Sequence, residues 1–303
     1  MGYLTGIDCG ATGTDVLLYN DKTRSGKLYK FNAINFNLLG LDKTVMQLNV
    51  IIKKSTGSRL KNTDYIVAGI SGARNSADRK KIQIKLQKSL NFRNIEIYPD
   101  TEIALYGAFG NDKNCGILIA GTGSVIYYRD SKGKANRIGG WGRHIGDEGS
   151  GYWIARSALH RLTQCYDGRS AKTSLSIRLN RKLNINSSNI VKHIYHNDFE
   201  ISGIAKLVFE CAEAGDKICR QIITKAAENL SEHFVPLRNK MRNKKIKIAL
   251  CGSLFTKEKL LEKDLKKIIK KNYPGIKLVK PDAEPVWGAV KIGMNNISGS
   301  FGE

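Results

Sequence analysis

Acidic residues are scarce in this chain: 27 Asp and Glu stand against 50 Lys and Arg in 303 residues, a formal net charge of +23. Long apolar runs are missing, and none approaches the roughly 20 residues that a membrane-crossing helix needs. The opening segment, MGYLTGIDCG, lacks the basic and then apolar layout of a signal peptide. It also misses the myristoylation pattern, because Gly6 stands where Ser or Thr is required. Among Cys9, Cys115, Cys165, Cys211, Cys219 and Cys251 there is no CxxC pair, so the cysteines read as free, mostly buried thiols of a reducing, cytoplasmic protein. Low-complexity segments are absent as well. The basic excess invites a nucleic-acid partner. Recognition motifs for one are missing, and the Lys and Arg are dispersed except at KMRNKKIK and over residues 257–271. The second stretch alternates Lys with Leu and Ile at helical spacing, which reads as a surface helix with a solvated face.

What is present is a hydrophobic content of 41%, enough for one large core or two modest ones. Residues 3–8 and 15–19 are apolar runs around a Gly/Thr turn and predict a β-hairpin, with a third strand at 27–33. Helical spacing follows at 41–54, a buried strand at 65–69, a helix at 78–90 and a strand at 95–98. A short helix at 102–109 is stopped by Gly110. The pattern then restarts: a strand at 115–120, a Gly-Thr-Gly turn, a strand at 124–129 and a third at 136–138. A long helical region over 149–237 comes next. A strand at 246–250, a helix at 257–270, a strand at 277–279 and a last helix at 285–294 complete the chain, with a frayed tail from Asn295. Two halves that each begin with consecutive strands and then alternate helix and strand predict an α/β protein with an internal duplication. A ligand cleft is expected between two such domains.

Five segments carry residues suited to chemistry. Asp8, Cys9, Gly10, Ala11, Thr12, Gly13 and Thr14 follow a strand directly. Small residues in a tight turn turn backbone N–H groups toward an anion, and Asp8 is placed to hold Mg²⁺ through water. A plain hairpin turn uses the same residues. Gly121, Thr122, Gly123 and Ser124 repeat that chemistry in the second half. This is neither a Walker A loop, since Thr122 stands at the lysine position, nor a dinucleotide fingerprint, since the third glycine is missing. Asp100 lies between a strand and a helix, where a carboxylate either accepts a proton or caps the helix. The segment GGWGRHIGDEGSG has six glycines in thirteen residues, with Trp141, Asp147 and Glu148 embedded. Ordering such a loop is costly in entropy, which points to a functional loop. Trp stacks on sugar faces, and carboxylates take sugar hydroxyls or a metal ion. His144 has no evident partner in sequence and reads as structural. Finally, IALCGSLF runs from a strand through Gly252 and Ser253 into a helix, a turn suited to adenine or phosphate, or an ordinary strand-to-helix connection.

The set DCGATGT, PDTEIALYGA, AGTGSV, GGWGRHIGDEGSGYWIA and LCGSLF resembles the BadF/BadG/BcrA/BcrD-type ATPases, in particular their N-acetylglucosamine kinase-like branch within the actin and sugar-kinase superfamily. The resemblance covers nearly the whole chain in order, and the GGWG…GDEGSGYW segment is its most specific part. It implies two ribonuclease H-like domains with ATP and sugar bound between them. The first would span 1–111, joined by a C-terminal helix at 285–295; the second would span 112–284 with a helical insertion. It implies that Gly10, Ala11, Thr12, Gly13 and Thr14 form the first phosphate loop, and Gly121, Thr122 and Gly123 the second. Gly252 and Ser253 would form the adenosine motif, and Asp100 the catalytic base. Asn35, Ser71, Asp100, Thr122, Trp141 and Asp147 would contact sugar. The cofactors implied are ATP and Mg²⁺, the latter at Asp8 and, as a further candidate, Asp147; a homodimer is implied too. The first loop departs from the family's usual DGGGTKT: Cys9 and Ala11 replace glycines, and Gly13 replaces the lysine. The lost charge weakens phosphate binding by up to about 1–3 kcal/mol.

The expected reaction is transfer of the γ-phosphoryl group of Mg-ATP to a sugar hydroxyl at C6, of N-acetylglucosamine or glucosamine. Within the same family stands a different activity, an activator ATPase of acyl-CoA reductase or dehydratase systems built around an iron–sulfur cluster. Cys115 near the second loop is the feature in its favour, and a brown, iron-bearing dimer would mark it. A non-catalytic sugar sensor is the third reading; such regulators append a helix-turn-helix segment, whereas here the first strand already begins at residue 3.

Overall fold

The run YLTGIDC becomes β1 (Tyr3–Cys9), the central strand of a five-stranded sheet, in the computed structural model, which describes residues 2–10, 12–195, 199–241 and 245–299. β1 pairs antiparallel with β2 (Thr14–Asn20), and β2 with β3 (Ser25–Phe31). On its other side β1 pairs parallel with β4 (Thr63–Ile70), and β4 with β5 (Ile95–Pro99). The order is therefore β3-β2-β1-β4-β5. Central strands covered on both faces need apolar residues at nearly every position, which is why β1, β2 and β4 read as continuous rather than alternating runs.

The pleat sorts those residues between two faces. Ile7, Cys9, Val16, Ile66, Ala68 and Ile70 pack with Val45, Leu48 and Ile52 of α1 (Phe36–Thr56) and with Ile82 and Leu86 of α2 (Ser76–Leu90). Leu4, Leu17 and Val67 point the other way, toward α3 (Asp100–Phe109) and the last helix of the chain, α12 (Pro285–Gly299). Asp8 shares that second face with Leu4. Helix α1 is capped by Asn35, whose Oδ1 accepts the Asn37 N–H at 3.0 Å, and is broken once at Gly40 (φ 70, ψ −177). The spacing that predicts a helix from residue 41 reads the regular part after that break.

Helix α12 extends past the expected end at 294, so the tail is helical through Gly299 rather than frayed from Asn295. The reason is a carboxylate on β5. Glu96 accepts from Tyr65 at 2.7 Å, Tyr98 at 2.5 Å and the Asn296 side-chain amide at 2.9 Å, which ties the last turns of α12 to the sheet. Residues 300–303 lie outside the described residues.

A second unit repeats this order. β6 (Cys115–Ala120), β7 (Ser124–Arg129) and β8 (Ala135–Gly139) are antiparallel neighbours. β9 (Ile246–Cys251) and β10 (Ile276–Val279) add in parallel, giving β10-β9-β6-β7-β8. Read from the antiparallel edge, this is the order of the first sheet, so the duplication expected from sequence is present in the topology. Contacts divide the chain into Met1–Asp112 with Lys280–Glu303 as one unit, and Lys113–Val279 as the other.

Between β8 and β9 the second unit inserts α4 (Gly151–Tyr166), α5 (Leu175–Leu183), α6 (Ile190–Ile194), α7 (Ala205–Glu213), α8 (Lys217–Glu232) and α9 (Phe234–Met241). They cover Leu118, Ala120, Ile126 and Tyr128 of the sheet. The helix expected over 257–270 is two elements, α10 (Ser253–Lys257) and α11 (Lys259–Asn272), with extended backbone at Glu258 (φ −117, ψ 89) between them. Leu261, Leu265 and Ile269 of α11 are buried, while Lys263, Lys266, Lys267 and Lys270 are exposed, so this lysine run is a solvated face. Asp264 is the exception on the inner side: Arg220 of α8 grips it with two bonds of 2.5 and 2.8 Å. Paired in this way, a buried carboxylate locks two helices in register. Among the described residues no helix is long and apolar enough to cross a membrane.

Candidate functional site

In the first unit the topology brings Asp8, Asn35, Ser71 and Asp100 to the C-terminal ends of the parallel strands, the usual ligand position in such sheets. Asp100 is the first residue of α3, and its Oδ1 accepts the Thr101 N–H at 2.8 Å. The helix-cap role considered from sequence falls to Pro99, which precedes the first helical residue and offers no side-chain cap; Asp100 instead sits inside the first turn, with its carboxylate on the Thr101 N–H. The Ser71 hydroxyl also donates to it, and Arg74 stands near enough to favour the charged form. Burial outweighs these and holds its pKa above the ordinary carboxylate value. Asn35 and Ser71 are joined by a parallel bridge, with the Phe36 N–H donating to the Ser71 carbonyl at 2.9 Å. Capping α1 occupies the Asn35 side-chain oxygen, so its NH₂ is the part that can donate to a ligand.

Asp8 lies opposite Asp15 in the hairpin and Gly69 in the parallel ladder. Burial first, then the charges of Asp100, Asp15 and Glu284, push its pKa up to about 7. Beside it, the turn closes with the Gly10 N–H on the Gly13 carbonyl at 2.9 Å. Thr12 is exposed and Thr14 buried; Ala11 lies outside the described residues. Cys9 points into the core, and burial raises its thiol pKa well above the ordinary value, so the departure from glycine there is a packing feature. No three described His, Cys, Asp or Glu side chains converge tightly enough to cage an ion. A partly hydrated Mg²⁺, held by one or two carboxylates and by phosphates, suits this concentration of negative charge.

In the second unit the Gly121 N–H closes on the Gly123 carbonyl at 2.9 Å. The Gly121 carbonyl accepts from Gly151 at 2.7 Å and the Thr122 carbonyl from Tyr152 at 3.3 Å, both at the start of α4. In a trans peptide the N–H points opposite to the C=O. The N–H groups of Thr122 and Gly123 therefore both point away from α4, which leaves this turn a candidate for holding an anion. Gly252 lies against the root of this turn: a methyl on it would stand 2.4 Å from the Ala120 carbonyl, and its φ is 98. The Ser253 Oγ would be 3.4 Å from a methyl on Gly121. The phosphate-loop and adenosine-motif candidates are thus adjacent. Gly252→Ala combines the clash with left-handed strain and should cost at least about 2 kcal/mol. Thermal denaturation should show a Tm lower by roughly 4–8 °C, and KM for ATP should rise.

The glycine-rich loop is tied to the same turn. Asp147 is buried with φ 56, and its Oδ1 accepts the Gly142 N–H at 3.3 Å. A methyl on Gly123 would meet its Oδ2 at 2.7 Å, and the Ser124 hydroxyl donates to the Glu148 carbonyl at 2.8 Å. Trp141 is 64% exposed, with the Arg137 guanidinium 4.7 Å from its ring centre. His144 sits edge-on to Tyr152.

Several neighbours escaped the sequence reading. Asp15 was available from the hairpin register, because Asp8 and Asp15 face each other across it. Arg74 follows the Ser71-Gly72 turn closely. Glu284 and His233 had no local signal: Glu284 reaches Asp8 through the packing of α12, and the buried His233 ring presses on Gly139 at the base of the glycine loop.

Two sheets of one strand order, with glycine turns after the first strand of each and a second glycine turn beside the later one, define a two-unit α/β protein with an internal duplication. The sequence model of the BadF/BadG/BcrA/BcrD ATPase family matches residues 5–293, and the chain belongs to that family. It is 30% identical to an N-acetylmuramic acid/N-acetylglucosamine kinase of Clostridium acetobutylicum, across 96% of this chain and 98% of that one. It is 25% identical to an N-acetyl-D-glucosamine kinase of Dictyostelium discoideum, across 96% and 97%. In structure it resembles a protein described as a putative N-acetylglucosamine kinase from Chromobacterium violaceum, with a TM-score of 0.79, 21% identity and coverage of 97% and 99%.

Proposed function

We propose that this protein is an ATP-dependent kinase that phosphorylates the 6-hydroxyl of an N-acetylated amino sugar. The observation that carries the reading is Asp100, a carboxylate pushed upward by burial and set beside the Asn35–Ser71 bridge. The names of the Clostridium and Dictyostelium relatives support the acceptor class, and the family supports ATP as donor.

Bound Mg-ATP supplies the phosphoryl group and the cation that neutralises its charge. Asp100 orients the acceptor hydroxyl and takes its proton as the oxygen attacks. The Ser71 hydroxyl and the Thr101 N–H keep the carboxylate aimed, and the Asn35 NH₂ donates to a sugar oxygen. In the second unit the Thr122 and Gly123 N–H groups hold phosphate oxygens by backbone donors. Gly252 and Ser253 form the edge against which the adenosine lies. Asp8 carries the metal-facing role through water. Asp147, which accepts the Gly142 N–H, shapes the glycine loop, and Trp141 offers an exposed ring to the sugar.

The proposal includes a homodimer working in a reducing cytoplasm, which the six free cysteines support. Light scattering on the purified protein should give twice the chain mass. The activity test is coupled ADP release with Mg-ATP against a sugar panel. Turnover that depends on an N-acetylated amino sugar is expected. ADP release indifferent to every sugar would sink the kinase reading and favour an activator ATPase.

A further inference from the structure

A cavity within the second unit has no part in the reaction described. It measures about 850 Å³ and lies among α4, α6 and α8. That is inside the usual range of about 300–1,000 Å³ for small-molecule sites. Leu159, Ile190 and Ile222 line it as buried apolar residues. Arg156 and Arg161 of α4 and Lys225 of α8 line it as exposed cations. Its described lining contains no carboxylate. Lys225 shares its charge with Glu228 at 3.0 Å, and the Arg161 Nη1 donates to the Gln164 side-chain oxygen at 3.3 Å. Among the described residues Arg156 has no ion pair or hydrogen bond. The Gly121–Gly123 turn, the Gly139–Gly149 loop, Gly252 and Ser253 all lie outside this lining. Tyr152 is a link between the two places: it lines the cavity, and its N–H donates to the Thr122 carbonyl at 3.3 Å.

We propose that this cavity is a second ligand site, which takes a small organic anion with an apolar body, such as an aromatic carboxylate. Cations gathered without a counter-charge repel one another, and a bound anion relieves that repulsion. A guanidinium is planar and weakly hydrated, so it pairs with a carboxylate through two parallel N–H bonds. The apolar residues supply the other half of the recognition, because covering Leu159, Ile190 and Ile222 removes hydrocarbon from water. A bare inorganic anion would answer the cations and leave those side chains wet. A neutral hydrocarbon would cover them and leave the Arg156 guanidinium unanswered. An anionic head on an apolar body satisfies both.

The test is fluorescence titration of the folded protein with two dyes of one shape. Anilinonaphthalene sulfonate has an apolar body and an anionic head; N-phenylnaphthylamine is the same body without the charge. The proteins compared are wild type, Arg156→Ala and Arg156→Lys, all altered at an exposed position that should not disturb folding. The sulfonate should saturate wild type at one dye per chain and bind at least about 10-fold more tightly than the neutral dye, the lower end of the worth of a hydrogen bond to a charged group. Arg156→Ala should weaken the sulfonate by about 10-fold and leave the neutral dye unmoved. Arg156→Lys should recover part of that affinity. No sulfonate binding, or equal binding of both dyes, would overturn the inference. Sulfonate binding that ignores Arg156→Ala would place the dye elsewhere and overturn it as well. Full competitive displacement by Mg-ATP would make the cavity part of the nucleotide site rather than a second one. Turnover of a sugar is not needed for any of these readings, so this inference and the kinase reading fail separately.

Discussion

Replacing Asp100 by asparagine is expected to lower kcat by about 10²–10⁴-fold, the usual worth of a positioned general base. KM for ATP should change little by comparison. Asparagine keeps an oxygen for the Thr101 N–H, so that bond in the first turn of α3 survives and the variant should melt close to wild type. Alanine removes the proposed base and the acceptor of the Thr101 N–H together and should add a loss of about 1 kcal/mol in stability. Comparing the two separates the roles that one carboxylate combines. Because burial raises the Asp100 pKa, wild-type kcat/KM should climb with pH through a midpoint above the ordinary carboxylate value, and that limb should vanish in the asparagine variant. An asparagine variant with near-normal kcat would leave Asp100 with only its structural bond to the Thr101 N–H.

Asp8→Asn should move activity and stability in opposite directions. The folded protein holds the Asp8 proton up to about pH 7, while the unfolded chain releases it near 3.8. The folded state therefore binds the extra proton across that window. Stability from this group is complete below pH 4 and falls as pH rises to 7. Full burial would make the loss about 4 kcal/mol; with Asp8 partly exposed, about 1–2 kcal/mol is expected. Without added metal, Asp8→Asn should match wild type at pH 4 and melt higher by roughly 2–6 °C at pH 7.5. Its kcat should fall by about 10²–10³-fold, the scale of one lost electrostatic contact to developing charge. Adding Mg²⁺ should raise the Tm of wild type more than that of the variant. Equal responses to Mg²⁺ would place the metal away from Asp8. The physical picture is a carboxylate in the field of Asp100, Asp15 and Glu284, whose repulsion a bound cation would relieve.

The extent to which this site was legible varies with how local its causes are. The glycine turns at 10–14 and 121–123 follow apolar strands directly, and a strand followed by small residues has few other outcomes. The glycine loop announced itself by composition. By contrast, Asp147 adopts a left-handed backbone and lodges its carboxyl against Gly123, which no spacing predicts. The break at Glu258 interrupts a clean amphipathic pattern, so periodicity joined two helices into one. The last turns of α12 seemed free because their partner, Glu96, lies about two hundred residues earlier.

By itself, the sequence determined the α/β alternation, the repeated opening of three strands in each half, the two glycine turns and the candidacy of Asp100. All of these depend on periodicity, turn residues and neighbours a few positions apart. The tertiary structure alone decided which carboxylates share a field with Asp8, how Ser71 and Arg74 hold Asp100, and that Gly252 abuts the root of the Gly121 turn. It also decided that Trp141 carries a guanidinium on its face. Those depend on strand order and helix packing, which bring together residues far apart along the chain, and electrostatic and steric effects act through space rather than along the sequence.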